Sequence, residues 1–282
     1  MCTTCGCDDV DHDHDHDHPD DSGDRGRQGG EHPHGAGAHR HHHPAGHAKD
    51  SSEEPTRILR VERDLLAKND RLAAVNRRDL TASGIAMFNL IGAPGAGKTA
   101  LLEALIRAFG TAVRLFVLEG DQATDRDAQR IERAGGRVIQ INTGTGCHLD
   151  ATHVAAGVRG LAPPEGSVVF VENVGNLVCP ALFDLGERAK IVAMSVTEGE
   201  DKPLKYPHVF RSAALFVLTK ADLRRYVEFD EERCLTYARR VNPHLRVVRT
   251  SATAGEGIDD LCNWVREEMS LASRRERGAA SS

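Results

Sequence analysis

Aromatic side chains are scarce: one Trp, three Tyr and eight Phe make up 4% of the 282 residues. No basic face interleaved with aromatics occurs, which argues against a nucleic-acid partner. No run approaches the ~20 apolar residues that cross a bilayer. The first residues lack the apolar core of a secretory signal. The sequence therefore predicts a cytoplasmic protein with no membrane partner. Positive charge is not in excess either. The formal net charge is −6 and charged residues make up 28%, as in a soluble, mildly acidic protein. Large apolar residues are nearly missing from residues 1–55, a segment that holds eleven of the fifteen histidines. Such a segment cannot bury enough surface to offset its ordering entropy, so disorder is expected there. Disulfides are not expected in a reducing compartment. The seven cysteines read instead as metal ligands or core thiols.

From residue 85 onward, short apolar runs alternate with amphipathic ones. Strands are predicted at Met87–Ile91, Val113–Leu118, Arg137–Ile141, Ser167–Glu172, Ile191–Val196, Ala214–Thr219 and Leu245–Thr250. Helices are predicted at Ala100–Phe109, Asp125–Ala134, Asp150–Leu161, Asp230–Val241 and Ile258–Ser270. This alternation predicts an α/β fold, with a mostly parallel sheet covered by helices on both faces and ligands beyond the carboxyl ends of the strands. The implied organisation is a metal-binding tail over 1–55, a helical linker over 56–84, a domain over 85–272 and a flexible tail over 273–282. In the linker, Ile58, Val61, Leu65, Leu72 and Val75 form a roughly heptad-like pattern that Lys68 and Asn69 interrupt. That pattern reads as a helix packed on the domain.

Gly92-Ala93-Pro94-Gly95-Ala96-Gly97-Lys98-Thr99 fits G-x-x-x-x-G-K-[ST] between a predicted strand and a predicted helix. Such a loop turns successive backbone N–H groups toward phosphates. Lys98 then reaches the β- and γ-phosphates, the Thr99 hydroxyl holds Mg²⁺, and Ala100 opens the helix. A plain glycine-rich turn needs no lysine at its helix N-terminus. Glu172 ends an apolar strand, and Glu119-Gly120-Asp121 follows another; at such strand ends a phosphate-loop enzyme holds Mg²⁺ or its water, which assigns Asp121 and Glu172 to that role. Thr219-Lys220-Ala221-Asp222 is similar to the N-K-x-D motif that reads guanine. The Asp222 carboxylate can accept from the N1–H and the exocyclic amine, and the Lys220 stem can cover the base. Ser251 and Ala252 match the second guanine-side loop. With Thr219 where Asn is usual, the pattern lacks an amide that supports the loop or touches the base. GTP is the expected nucleotide.

Cys2, Cys5 and Cys7 place three thiols within six residues, a strong metal signal in a reducing compartment. Thiolate and nitrogen donors on a mobile chain suit Ni²⁺, and thiolates also suit Zn²⁺ and Cu⁺. His12, His14, His16 and His18 alternate with aspartates, and His41, His42 and His43 follow further on. They read as a loose store for several divalent ions, emptied below about pH 6 as the imidazoles protonate. Within the domain, Cys147 and His148 form an adjacent S,N pair, and Cys179 lies seven residues beyond Glu172. Cys234 and Cys262 fall on apolar helix faces and read as core.

Together M-C-T-T-C-G-C, G-A-P-G-A-G-K-T, T-G-T-G-C-H-L and F-V-E-N-V-G-N-L-V-C-P resemble the hydrogenase nickel-incorporation GTPases, HypB-type members of the SIMIBI class of phosphate-loop NTPases. The resemblance covers residues 1–7 and 85–270. It implies GTP hydrolysis, a GTP-dependent homodimer, nickel delivery to the large subunit of a [NiFe]-hydrogenase and a HypA-type metallochaperone as partner. It also implies that Cys147, His148 and Cys179 bind metal, Ni²⁺ or Zn²⁺, at the dimer interface, and that the terminal thiols bind nickel tightly. Two other readings fit part of the pattern. A urease-accessory GTPase shares the fold and often a His-rich start, though not the terminal cysteines or the Cys147-His148 pair. A passive nickel store would need no working nucleotide site.

Overall fold

The computed structural model describes residues 53–121, 125–144, 146 and 148–279; for 53–62, 121 and 272–279 it describes the backbone alone. The chain enters through a long helix α1 (Glu53–Ala82) and passes into β1 (Ala86–Ile91), α2 (Lys98–Phe109), β2 (Leu115–Asp121), α3 (Arg126–Arg133) and β3 (Arg137–Asn142). It continues through α4 (Ala151–Leu161), β4 (Val168–Glu172), the short α5 (Cys179–Leu182) and β5 (Ala189–Ser195). Two short helices follow, α6 (Lys202–Lys205) and α7 (Pro207–Ser212), then β6 (Ala213–Thr219), a 3₁₀ turn (Ala221–Tyr226), α8 (Glu231–Val241), β7 (Arg246–Arg249) and α9 (Ile258–Ala279).

The seven strands form one sheet in the order β3-β2-β4-β1-β5-β6-β7, and every pairing is parallel. Because the order reverses about β1, a crevice opens beyond the carboxyl end of that strand. β1 and β4 are buried along their whole length, as expected of central strands covered on both faces. On one face α2, α3 and α9 pack on Phe88, Phe170 and their neighbours, with Trp264 of α9 5.4 Å from Phe88. On the other face α1 and α4 cover Met87, Leu118 and Val169, while α7 and α8 cover Val192 and Phe216. Cys262 lies in the first of these cores and Cys234 in the core under α8, where burial pushes the Cys234 thiol up to about 12.

The linker helix packs on the domain with a different face from the one its apolar pattern suggests. Leu65, Leu72 and Val75 are 59%, 36% and 42% exposed. Among the described side chains of α1, the buried positions are Asn69, Ala73 and Leu80. Asn69 Nδ2 donates to Asp184 O at 2.7 Å, and Asn69 Oδ1 accepts from Ala151 N–H at 2.9 Å. One turn or two further on, Asn76 Nδ2 donates to the carbonyls of Ala151 (2.8 Å) and Leu185 (3.1 Å). Asparagine amides seat this helix by completing the backbone hydrogen bonding of two distant segments. At the other end, α9 continues to Ala279, where the sequence had suggested a flexible tail from 273.

Candidate functional site

Residues 92–97 bridge the end of β1 and the start of α2. The close approach of β5 demands glycine at 92, since a Cβ there would lie 2.7 Å from Ala193 O. Gly97 is left-handed (φ 87°) at the N-cap of α2, which aims the first N–H groups of the helix into the crevice. α2 starts at Lys98, two residues before the predicted Ala100. Lys98 Nζ donates to Gly92 O at 3.1 Å, so the lysine lies over its own loop. Burial lowers the Lys98 pKa, against the opposing pull of Glu172, Asp127, Glu198 and Glu119.

Below the loop, the Thr99 hydroxyl donates to Glu172 Oε1 at 2.8 Å. Glu172 Oε2 is buried without a hydrogen-bond partner among the described residues. Burial raises the pKa of this carboxyl to about 7, although Lys98 and the Thr99 hydrogen bond pull it down. A buried carboxylate oxygen with no partner beside a hydroxyl, under a nest of N–H groups, fits a hard divalent cation held with phosphate. A cavity of about 590 Å³ opens above it. Gly95, Gly97, Lys98, Thr99, Ala100, Glu172 and Lys220 all line it.

The guanine-side residues meet as well. Ser251 Oγ donates to Asp222 Oδ1 at 2.6 Å, leaving Oδ2 for a base, and Ala252 follows Ser251 in the same loop. Lys220 takes a left-handed backbone (φ 57°) rare for a side-chain-bearing residue and lines the phosphate cavity, while Asp222, two residues on, lines a second hollow. Thr219 does support the phosphate loop: its hydroxyl donates to Ala96 O at 2.6 Å, tying β6 to the loop. A hydroxyl here takes over the loop-supporting part of the missing amide's role.

Further residues that line the cavity carried no assignment in the sequence, among them Glu119, Asp127, Arg130 and Asn173. Glu119 is the register partner of Glu172 on β2, and both are buried at the cavity floor. Asp127 and Arg130 of α3 also line it, Arg130 being held by Asp127 (3.1 Å) and Glu103 (2.7 Å). Asn173 follows Glu172 into the wall. In Glu119-Gly120-Asp121 the sequence assigns the acid to Asp121; Glu119, two residues earlier, also lines the cavity. Asp121 closes β2, and its side chain lies outside the described residues.

The matching family is the CobW/HypB/UreG nucleotide-binding domain, over residues 86–249. The chain belongs to that family. It is 51% identical over 219 residues to the hydrogenase maturation factor HypB of Azotobacter vinelandii, spanning 78% of this chain and 72% of the relative. A HypB structure from Archaeoglobus fulgidus superposes with a TM-score of 0.68 at 37% identity, covering 72% of this chain and 100% of that one. A HypB from Helicobacter pylori in complex with nickel gives 0.69 at 33% identity, covering 72% and 96%. This is therefore a nucleotide-binding domain of the HypB type.

Most of the metal ligands that the sequence suggests cannot be compared with this site. Cys2, Cys5, Cys7, His12, His14, His16, His18, His41, His42, His43 and Cys147 lie outside the described residues. Among the described residues no group of three or more potential metal-ligating side chains comes together. Cys179 is buried at the start of α5. His148 stacks on Phe183, four residues further along, with centroids 3.9 Å apart. Burial lowers the His148 pKa and favours the neutral imidazole, the form that ligates metals.

Proposed function

We propose that this chain hydrolyses GTP to GDP and phosphate and couples that step to nickel delivery into the large subunit of a [NiFe]-hydrogenase. It works in the cytoplasm as a GTP-dependent homodimer beside a HypA-type metallochaperone. The observation that carries the reading is the Glu172–Cys179 segment. Its first residues wall the phosphate cavity and its last residue opens α5. Relatives named as hydrogenase maturation factors, one of them solved with nickel, support the same reading.

In hydrolysis, water adds to the γ-phosphorus as the bond to the β,γ-bridging oxygen breaks. Lys98 and the loop N–H groups take up charge moving onto the β-phosphate. Thr99, Asp121 and Glu172 would hold Mg²⁺, which when bound would supply positive charge to the phosphate oxygens. Across a two-fold axis, Cys147 and Cys179 of two copies pool into one nickel site that a single chain half completes. Zn²⁺ suits the same donors. Loss of the γ-phosphate contacts then loosens the pair. Weakening the grip a thousandfold takes about 4 kcal/mol between the two states.

Base selection tests the nucleotide half of this reading. In a competition titration GTP should bind at least about 100-fold more tightly than ATP, the worth of two hydrogen bonds to a carboxylate. Asp222→Asn should bring the two nucleotides near parity. Equal affinities in the wild type would remove GTP from the account.

A further inference from the structure

The interior of this sheet contains a polar thread that the nucleotide site does not require. Asn173, on the cavity wall, has its amide oriented by its partners. Oδ1 accepts from Leu149 N–H at 3.2 Å and from Val174 N–H at 3.0 Å, so Nδ2 is the end that donates to Asn89 Oδ1 at 3.2 Å. That bond orients Asn89 in turn, and its Nδ2 donates to Glu187 Oε1 at 3.4 Å. Glu187 Oε2 accepts from Leu185 N–H at 2.6 Å. Lys190 Nζ lies 3.8 Å from Glu187 Oε1 and donates to Ala181 O at 2.8 Å. Asn89, Asn173 and Glu187 are 0%, 1% and 5% exposed.

Asn89 sits mid-strand between Phe88 and Leu90, where an apolar residue would cost far less to bury. The thread starts on the cavity wall and ends in three places. Leu149 is the neighbour of His148. Leu185 lies two residues past Phe183, the ring on which His148 stacks. Ala181 lies two residues past Cys179. Each end falls on a segment carrying or bracing a proposed nickel ligand.

We propose that Asn89 and Glu187 are positioning residues: the buried chain Asn173–Asn89–Glu187 transmits the state of the phosphate cavity to the His148 and Cys179 segments and so sets how tightly the domain grips nickel. This rests on the proposed function and names the link within it. The amides have one satisfied arrangement, so displacement of Asn173 by a γ-phosphate must carry Leu149 with it. Through Asn89 and Glu187 it carries Leu185 and the Lys190–Ala181 tie. Satisfied buried networks resist partial breakage, which makes such a thread a coupling element rather than a cushion.

The test is a coupling measurement on the full chain with Cys2, Cys5 and Cys7 changed to serine. This silences thiolate–nickel absorption from the tail and leaves that band to report the domain site. Nickel is titrated against the GDP form and against the form holding a non-hydrolysable GTP analogue, with nucleotide affinity measured in parallel. The parent should show a nickel affinity ratio between the forms of about tenfold or more. Asn89→Leu should bring the ratio within about twofold of one, with both nucleotide affinities unchanged. Glu187→Gln, whose single carbonyl oxygen can accept from Leu185 N–H or from Asn89 Nδ2 but not from both, breaks one link of the thread and should lower the ratio as well. If Asn89→Leu does not fold, Lys190→Met cuts only the Ala181 end and should reduce the ratio in part. A parent ratio well away from one that survives intact in Asn89→Leu, or in Lys190→Met where that variant replaces it, overturns the thread and leaves the proposed function standing. A parent ratio of one overturns both.

Discussion

Lys98→Ala is expected to lower phosphate release from GTP by about three orders of magnitude, in line with the loss of a preorganised charge aimed at a developing negative one. That is a barrier increase of about 4 kcal/mol. Lys98 is buried, follows the left-handed Gly97, and reaches back across its own loop to Gly92 O. It is therefore held where the β- and γ-phosphates of a bound nucleotide would lie. Burial lowers its pKa, and four carboxylates, Glu172, Asp127, Glu198 and Glu119, pull the other way toward the charged form. Among the described residues that line the cavity, the other lysine, Lys220, follows the end of β6 rather than the phosphate loop. Nickel held by Cys2, Cys5 and Cys7 should be unaffected, because that cluster lies more than eighty residues away in sequence. Phosphate-release kinetics and nickel stoichiometry on one preparation check both halves. A rate within tenfold of wild type would mean that the loop binds nucleotide without acting on it.

The second large effect is at Glu172, where function and stability should part. In the nucleotide-free protein its pKa stands at about 7, against an ordinary 4.5. Between those values the folded protein keeps a proton that the unfolded chain has lost. The contribution to stability is therefore fully present below about pH 4.5 and is lost as pH rises through about 7. The gap corresponds to about 3 kcal/mol. Gln has the same shape, still accepts from the Thr99 hydroxyl and cannot ionise. Glu172→Gln should therefore be more stable than wild type at pH 8, by about 2 kcal/mol in denaturant unfolding. The two should be nearly equal at pH 5. The same change should lower hydrolysis about 100-fold or more by removing a carboxylate from the place proposed for Mg²⁺. A variant less stable than wild type at pH 8 would show that the buried carboxylate is not under desolvation stress.

The architecture was legible because parallel-sheet strands leave a strong signal. Runs such as Val168-Val169-Phe170-Val171 are apolar at every position, and the nucleotide motifs sit at their ends. Spacing also placed Lys98, Thr99, Glu172, Asp222 and Ser251 near their observed neighbours. The linker helix was harder. Periodicity points at Leu65, Leu72 and Val75, whereas the helix is seated by Asn69 and Asn76 through bonds to backbone 75 to 115 residues away. Long-range side chain–backbone bonds leave no trace in local patterning. Asp127 and Arg130 were missed for a related reason. α3 is short and buries only Ile131, so its polar residues looked like a solvated face until the topology set them over the cavity. Thr219 shows the opposite case: a departure from the usual motif keeps a tie to the phosphate loop through a different atom.

In the proposed function, the guanine nucleotide and nickel sense each other through one domain. Calorimetric titration of nickel into the full chain, saturated first with GDP and then with a non-hydrolysable GTP analogue, tests this most directly. The account predicts that one class of sites, the domain's, differs in affinity by about tenfold or more between the two forms, while the tail sites do not move. Superimposable isotherms in the two nucleotide states would contradict it.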